Sequence, residues 1–477
     1  EGRHESMKLS VGCDVDSIVY DSRKACEGSL FVCLRGFRSD GHSYIKSAYD
    51  RGCRDFLCEY IPDDAANLPD IRIYRVRDTR EALADLSAEF FGHPANQLKL
   101  IGVTGTKGKT SVSVLLFKAL NRAGYTCGYI GTTGIDYCGK HLSTLNSTPE
   151  SYELHKTFAA MYKAGCEYCV MEVTSQAYKT GRVRGIRFDF GVFTNLSPDH
   201  IGEGEHDSFE DYRRCKSRLF ADSGMSILNA DDDAFGYMAS SASRFVTYGT
   251  NRSTARYYGE NIHISSGNIP GVSFTYCGRE VFMCTPGRFS VYNALAVLAA
   301  CDELGCADAA VETLAVDTVP GRFETVYSAD GVSYIIDYAH NEMSLRAVLT
   351  TLREYKPGRL VCLFGAVGHS PLRREGLGRA AGELADFCIV TSDNPDRENP
   401  EAIMRSVEAG ILSVENHAEY ILICDRAEAI RYAAENALEG DIILLAGKGH
   451  EDYQIVNGER VPFCEREILL GILSESK

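Results

Sequence analysis

The chain has 477 residues, 44% hydrophobic and 24% charged, which is globular composition with room for about three domains. Lys and Arg number 50 against 66 Asp and Glu, and the resulting net charge of −16 argues against nucleic acid as the main partner. No apolar run approaches the roughly 20 residues of a membrane helix, and the polar residues 1–6 lack the apolar core of a secretory signal, so membrane insertion is excluded and a cytoplasmic location expected.

In chain order, Ser29–Leu34 predicts a strand, Gly36–His42 a polar glycine-bounded loop, and a helix follows with Ile45 and Ala48 on its apolar face. Pro94-Ala95-Asn96 follows a helix ending near Phe91, which places a domain boundary at residue 97. Leu98–Val103 then reads as a short buried strand, followed by glycines. After these comes a helical pattern through Val112, Leu115, Leu116, Ala119 and Leu120, stopped by Gly124. Further strands are predicted at Cys169–Glu172 and Phe188–Asn195, and residues 245 to 285 read as hairpins of a small inserted sheet. From Pro320-Gly321 onward, four strand-then-polar-loop units recur, at Ile335–Asp337, Val361–Gly365, Ile389–Asp393 and Ile442–Gly447. Strands alternating with helices predict parallel sheets whose ligands gather at the carboxyl ends of the strands. The 18 cysteines are scattered through apolar stretches, and the single Cys166-x-x-Cys169 has no second pair to complete a zinc site. Reduced thiols packed around a strand are expected there.

Gly102-Val103-Thr104-Gly105-Thr106-Lys107-Gly108-Lys109-Thr110-Ser111 lies between a predicted strand and helix. Backbone N–H groups there surround phosphates, and the helix N-terminus adds positive potential. Lys109 is placed to reach the β- and γ-phosphates and Thr110 to offer its hydroxyl to Mg²⁺. The strict Walker spacing fails because Val103 stands where its first glycine belongs, so an ordinary glycine-rich turn is the competing reading. A triphosphate calls for a divalent metal with hard oxygen ligands. Glu172, at a strand end, is a candidate ligand, though alone it fits an edge carboxylate or a cap equally well; His200 alone reads as a loop histidine.

Gly-x-Thr-Gly-Thr-x-Gly-Lys-Thr at 102–110, Glu172, Thr194-Asn195-Leu196 with Asp199-His200, Tyr212 with Lys216, Gly321-Arg322-Phe323-Glu324 and Asp337-Tyr338-Ala339-His340 together resemble the Mur ligase family. Asp21-Ser22-Arg23, Leu30-Phe31-Val32, Asp40-Gly41-His42, Ala446–Glu451 and Tyr453-Gln454 narrow the resemblance to the branch that adds the third residue of the peptidoglycan stem. The resemblance implies three α/β domains. A central P-loop-type, mostly parallel sheet at 98–320 binds ATP; it is flanked by a UDP-sugar-binding α/β domain at 1–97 and a Rossmann-like amino-acid-binding domain at 321–477. It implies an ATP-dependent ligase that phosphorylates a carboxylate and lets an amine displace the phosphate, acting in peptidoglycan synthesis, cell shape and division. Such transfer is mainly positioning and charge neutralisation.

By matched position, the resemblance implies that Gly105, Thr106, Lys107, Gly108, Lys109, Thr110 and Ser111 hold ATP, with Asn293, Arg322, Asp337 and His340 on the nucleotide. Lys109, Glu172, His200 and Lys216 are the implied catalytic set. Thr110, Glu172, His200 and Lys216 serve Mg²⁺, Lys216 as a carbamate formed from CO₂. Ser22, Phe37, Arg38, Ser39, Asn146, Ser147, Thr148, Ser175 and Arg182 are implied contacts of UDP-N-acetylmuramoyl-L-alanyl-D-glutamate, although Thr148-Pro149 fits a simple turn as well. Arg374, Asp393, Asn394, Asp396, Gly447 and Glu451 are implied contacts of the incoming diamino acid. A monomer is expected.

The pattern departs from the family in one informative place. Members that add meso-diaminopimelate typically carry Asp-Asn-Pro-Arg, whose arginine pairs with the distal carboxylate, whereas this chain has Asp393-Asn394-Pro395-Asp396. An aspartate there repels a carboxylate and attracts the distal ammonium of lysine or ornithine, so L-lysine is the expected acceptor. Arg397 is adjacent, and a shifted loop would restore the arginine and meso-diaminopimelate. The loop Ile201–His206 and the stretch Gly365–Arg374 also depart from the common pattern. Those altered loops keep two other readings open: a paralogue that joins a different amine, and a nucleotide-binding regulator without ligase activity. Retention of Lys109, Glu172, His200, Lys216 and Asp337 weighs against the second.

Overall fold

A computed structural model describes residues 7–475 except 9, 11, 13, 37–38, 200, 203–204 and 266–269. The chain divides into two compact units, Glu1–Tyr248 and Gly249–Lys477.

In the first unit the antiparallel pair Met7–Lys8 and Asp14–Val15 is followed by four parallel strands in sequential order, Ser17–Val19, Ser29–Val32, Asp55–Cys58 and Arg72–Arg75. Alternation along the strands decides what each face packs against. Leu30, Val32 and Leu57 meet Leu83, Leu86 and Phe90 of the helix Thr79–Phe90. Phe31, Cys33, Phe56 and Cys58 turn the other way, onto Ile45 and Ala48 of the helix Ile45–Asp50. The helix Thr79–Phe90 begins at Asp78, whose carboxylate accepts from the N–H groups of Arg80 and Glu81.

The larger sheet of this unit places Lys99–Thr104 between Tyr168–Glu172 and Phe188–Phe193. Cys127–Gly131 lies beyond the first neighbour, and Ser223–Asn229 then Phe245–Gly249 beyond the second. These six strands are parallel; the hairpin Gly134–Tyr137 and Lys140–Leu142 closes one edge antiparallel. From Lys99–Thr104 the chain winds first to one side and later to the other, so a crevice opens at its carboxyl end. The next helix, Lys109–Arg122, buries Val112, Leu115, Leu116, Ala119 and Leu120, the predicted stripe, at roughly 1.5–3 kcal/mol for each Val or Leu. Cys166 and Cys169 are free thiols packed in the core beside Leu100 and Met171.

In the second unit, Tyr257–Ser265, Gly271–Tyr276 and Arg279–Met283 form an antiparallel sheet. The expected hairpins therefore begin at 257, because Phe245–Gly249 pairs parallel with Ser223–Asn229 instead. The helix Phe289–Glu303 is buried nearly all round and forms the core of this part. The final sheet runs Glu324–Ala329, Val332–Asp337, Asp441–Ala446, Arg359–Phe364, Phe387–Val390, Glu419–Leu422. Its four inner strands are the four predicted ones, and they are mutually parallel. Cys362, Phe364, Val390 and Leu444 fill one face; Ile336, Leu363, Ile389 and Leu445 fill the other. Among the described residues no helix is long and apolar enough to cross a membrane.

Candidate active site

The parallel pairing of Lys99–Thr104 with its neighbours sets Val103 opposite Glu172 and Thr104 opposite Phe193, so the three strand ends deliver their loops to one place. The phosphate loop is tied down by the third of them. Asn195 accepts from the N–H groups of Thr106 and Lys107 through its carbonyl and Oδ1, and donates back to the Lys107 carbonyl. The Thr194 hydroxyl also donates to the Lys107 carbonyl, at 2.6 Å. Gly105 sits so close beneath Thr194 that a Cβ would lie 1.9 Å from its Oγ1; only glycine fits there. Gly108 precedes the helix that begins at Lys109, with Thr110 and Ser111 in its first turn.

Lys109 Nζ donates to the carbonyls of Gly105 and Thr106 at 2.9 and 3.0 Å. Lys216, from the helix Phe209–Ala221, reaches the same Gly105 carbonyl at 2.7 Å although its side chain is buried. Burial, with the Lys109 charge as a smaller contribution, holds the Lys216 amine well below the usual lysine range. The Lys216 ammonium position lies over the Tyr212 ring, whose hydroxyl meets Thr106 Oγ1 at 3.1 Å. Tyr212 therefore braces both the loop and the lysine. His200 lies outside the described residues.

Glu172 is wholly buried, and no cationic side chain pairs with it among the described residues. Its Oε1 accepts from Thr132 N–H at 2.8 Å and Tyr129 hydroxyl at 3.1 Å; its Oε2 accepts from Thr132 Oγ1 at 3.2 Å. Thr132 Oγ1 also contacts Ser147 Oγ at 2.7 Å and Thr110 Oγ1 at 3.4 Å. A buried carboxylate without a cation, linked through one hydroxyl to the phosphate-loop threonine, is an oxygen donor set that suits Mg²⁺. Thr132 was not among the expected site residues. Its only sequence signal is the polar Gly131-Thr132-Thr133-Gly134 turn between two strands.

The expected sugar-peptide contacts divide into exposed and committed groups. Asn146 is exposed and Ser147 half-buried. Thr148 is committed to the protein: its hydroxyl donates to the Glu172 carbonyl and accepts from Thr174 N–H, fixing the turn to the strand end. Ser175 is buried at the start of the helix Ser175–Lys179. Arg182 is aimed by Glu150 at 3.1 Å and by the Thr148 carbonyl at 2.9 Å. In the first sheet's loops, Ser22 opens a short helical turn that is capped by Asp21, whose carboxyl Arg23 holds down to about 2. Ser39 is exposed, and Phe37 and Arg38 lie outside the described residues. Asp40 and His42 shape that loop. His42 Nε2 accepts from Glu59 N–H, so its Nδ1–H donates to Asp40, at 2.6 Å.

In the second unit, Asp337 ends an inner strand and is buried. Its two oxygens accept from Phe323 N–H and Ala339 N–H, each at 2.9 Å, so it clamps the Gly321–Phe323 turn to its own strand end. Burial raises its carboxyl above the usual range. Arg322, His340 and His450 surround the Tyr338 ring at 4.8 to 5.0 Å. Asn293 is buried in the helix Phe289–Glu303.

At the ends of the same inner strands, Asp393, Asn394, Gly447 and Glu451 come together. Gly447 has φ +111°, and a Cβ there would lie 2.9 Å from Asp393 Oδ2. Arg374 pairs with Glu398 at 2.7 Å, while its Nε is buried without a hydrogen-bond partner. Asp396 adopts φ +54° and turns its carboxylate onto His369 Nε2 at 2.8 Å. Its backbone is fastened to the neighbouring hairpin through Ile455 and Asn457. Arg397 is exposed.

Comparison with known proteins gives a consistent picture. Residues 14–91 match the model of the Mur ligase family catalytic domain, 103–301 the Mur ligase middle domain and 321–449 the Mur ligase glutamate ligase domain. A protein of Caldanaerobacter subterraneus subsp. tengcongensis named UDP-N-acetylmuramoyl-L-alanyl-D-glutamate--2,6-diaminopimelate ligase is 39% identical over 483 residues, covering 100% of this chain and 98% of its own. A namesake from Clostridium botulinum is 37% identical over 470 residues, covering 97% and 96%. A solved structure of a 2,6-diaminopimelate ligase of that name superposes with TM-score 0.68 at 27% identity, over 97% of this chain and 95% of its own. A MurF ligase of Thermotoga maritima solved with ADP shares the fold, with TM-score 0.60 at 20% identity over 96% and 97%.

Proposed function

The chain belongs to the Mur ligase family, and from that premise we propose that it joins a diamino acid to UDP-N-acetylmuramoyl-L-alanyl-D-glutamate in peptidoglycan precursor synthesis. It is an ATP-dependent, ADP-forming acid–amino-acid ligase. The observation that carries the reading is the convergence of Lys109, Lys216 and the Glu172–Thr132–Thr110 chain on one phosphate loop.

The chemistry follows from what a carboxylate lacks. Its charge repels an amine and it has no leaving group. Transfer of the ATP γ-phosphoryl to a glutamate carboxylate releases ADP and supplies both deficits. The acceptor amine then attacks the acyl carbon, inorganic phosphate departs, and the ammonium's proton is lost as the amide forms. The N–H groups at the helix start from Gly108 onward, with the Lys109 ammonium, hold the phosphates against their own repulsion, while the N–H groups of Thr106 and Lys107 are taken by Asn195. Mg²⁺ supplies charge neutralisation, with Thr110, Glu172 and His200 as its proposed ligands. Lys216 joins them as a carbamate. Carbamate formation needs a neutral amine to add to CO₂ with loss of a proton, and the depressed basicity of the buried Lys216 supports it. Asn293, Arg322, Asp337 and His340 are assigned to the nucleotide. Ser22, Ser39, Ser147, Ser175 and Arg182 are assigned to the nucleotide-sugar peptide. The division of labour is by domain, with boundaries at 97 and 320, in a monomer acting in the cytoplasm.

For the acceptor, the relatives' names support 2,6-diaminopimelate over the L-lysine expected from Asp396. The structure offers that reading a physical route, since His369 takes up the Asp396 carboxylate and the Arg397 guanidinium beside it is exposed. L-Lysine remains the second reading, favoured by the acidic side chain at the motif's fourth position. ADP release and amide product measured with authentic UDP-dipeptide and a panel of diaminopimelate, lysine and ornithine test both. Absence of turnover with every amino acid would sink the ligase reading itself.

A further inference from the structure

Lys448 belongs to no group assigned above, yet it is a wholly buried lysine. Its Nζ donates to Asn394 Oδ1 at 2.8 Å and to Glu451 Oε2 at 2.8 Å, and lies 3.5 Å from Asp393 Oδ1. Asn394 Oδ1 accepts a second donor, Ile455 N–H at 3.0 Å. Two donors on one oxygen fix the amide's orientation, so Asn394 Nδ2 must point the other way, and it donates to Glu451 Oε2 at 3.0 Å. Every polar atom of the Asn394 side chain is thus engaged, as is one oxygen of Glu451. Among the described residues the other, Oε1, has only the Tyr338 hydroxyl at 3.4 Å and retains acceptor capacity. Asp393, Glu451 and Lys448 leave one net negative charge among them, which suits an ammonium.

We propose that Lys448 is a positioning residue for the acceptor amino acid: through Asn394 and Glu451 Oε2 it holds Glu451 Oε1 toward the incoming ammonium. This rests on the acceptor-pocket reading above, with Asn394 bracing Glu451 through Nδ2. A buried ammonium is costly unless it is paired and bonded, and here its two acceptors, Asn394 and Glu451, and the Asp393 carboxylate 3.5 Å away are all parts of the pocket. Removing it would leave two carboxylates and an amide to repack, and Glu451 free to turn.

Steady-state kinetics of Lys448→Met with the acceptor that the wild-type enzyme prefers are the test. The KM for that amino acid should rise by roughly 10-fold or more, while KM for ATP and for UDP-dipeptide stays within about 2-fold. Glu451→Gln and Lys448→Met should be non-additive in kcat/KM, because both act through one carboxylate. An unchanged amino-acid KM, an equal rise for all three substrates, or additive losses would overturn the proposal. Asn394→Ala, which keeps the lysine, should give the same selective rise if Lys448→Met does not fold, and its failure to do so would overturn the proposal equally. Wild-type enzyme without ligation of any amino acid would instead refute the acceptor reading on which it stands.

Discussion

Lys216 and Lys109 donate to the same backbone carbonyl, and burial, with the Lys109 charge as a smaller contribution, lowers the basicity of the Lys216 amine. That arrangement has a direct consequence for turnover. Lys216→Ala should lower kcat on the order of 10²-fold or more, and formate or acetate should restore part of it by supplying the missing carboxylate; unchanged turnover would rule out the carbamate. Asp396 makes a second prediction. Replacing it with arginine removes a charge that opposes a distal carboxylate, so Asp396→Arg should raise kcat/KM for diaminopimelate relative to lysine by about 10-fold. An unmoved ratio would place the distal group elsewhere. Gly-Lys-Thr was legible because it sits in a short motif whose chemistry is local; Glu172 and Lys216 stood out only through the family resemblance, since a lone carboxylate or lysine carries no such mark. Thr132, Tyr338 and Lys448 were not legible, since a threonine in a turn or a lysine in a glycine-rich loop carries no mark of the partners that distant strands bring to it.

Among the elements, the phosphate loop depends on the strand end beside it as much as on its own glycines. Asn195 and Thr194 satisfy the loop's backbone, and Gly105 is the price of their approach. Gly105→Ala should therefore cost about 1–3 kcal/mol by forcing the loop from Thr194, read as a lower melting temperature, and should weaken ATP binding. Full affinity for ATP in that variant would mean the loop is not the phosphate site. The strands Lys99–Thr104, Tyr168–Glu172 and Phe188–Phe193 of the first large sheet and the four inner strands of the final one were readable as apolar runs ending in polar residues. The edge strands Glu324–Ala329 and Glu419–Leu422 were not, because half-exposed residues such as Tyr327 and Tyr420 carry neither a continuous apolar run nor a clean alternation.

Acid stability is a property of the whole molecule to which one buried side chain contributes measurably. His155, in the helix Ser151–Lys163, is 2% exposed with neither ring nitrogen hydrogen-bonded, and burial lowers its pKa from 6.5 to about 4. The folded state therefore binds fewer protons than the unfolded one between those values, and stability falls as pH drops from 6.5 toward 4. At roughly 1.4 kcal/mol per unit, the full loss is about 3 kcal/mol. Denaturation of His155→Leu should show a stability gain over wild type that widens through this window; a gain independent of pH would refute the account. From the amino-acid order alone came the α/β class, three strands around the glycine-rich loop, the inner strands of the final sheet and that loop itself, because hydrophobic period and short glycine-rich motifs are properties of neighbours in the chain. Only the folded chain decided that Glu172 reaches Thr110 through Thr132, that Asp396 faces His369, and that Lys448 is buried against Asn394 and Glu451. Parallel strands pair out of chain order, so which loops share a strand end follows from sheet topology and not from distance along the sequence.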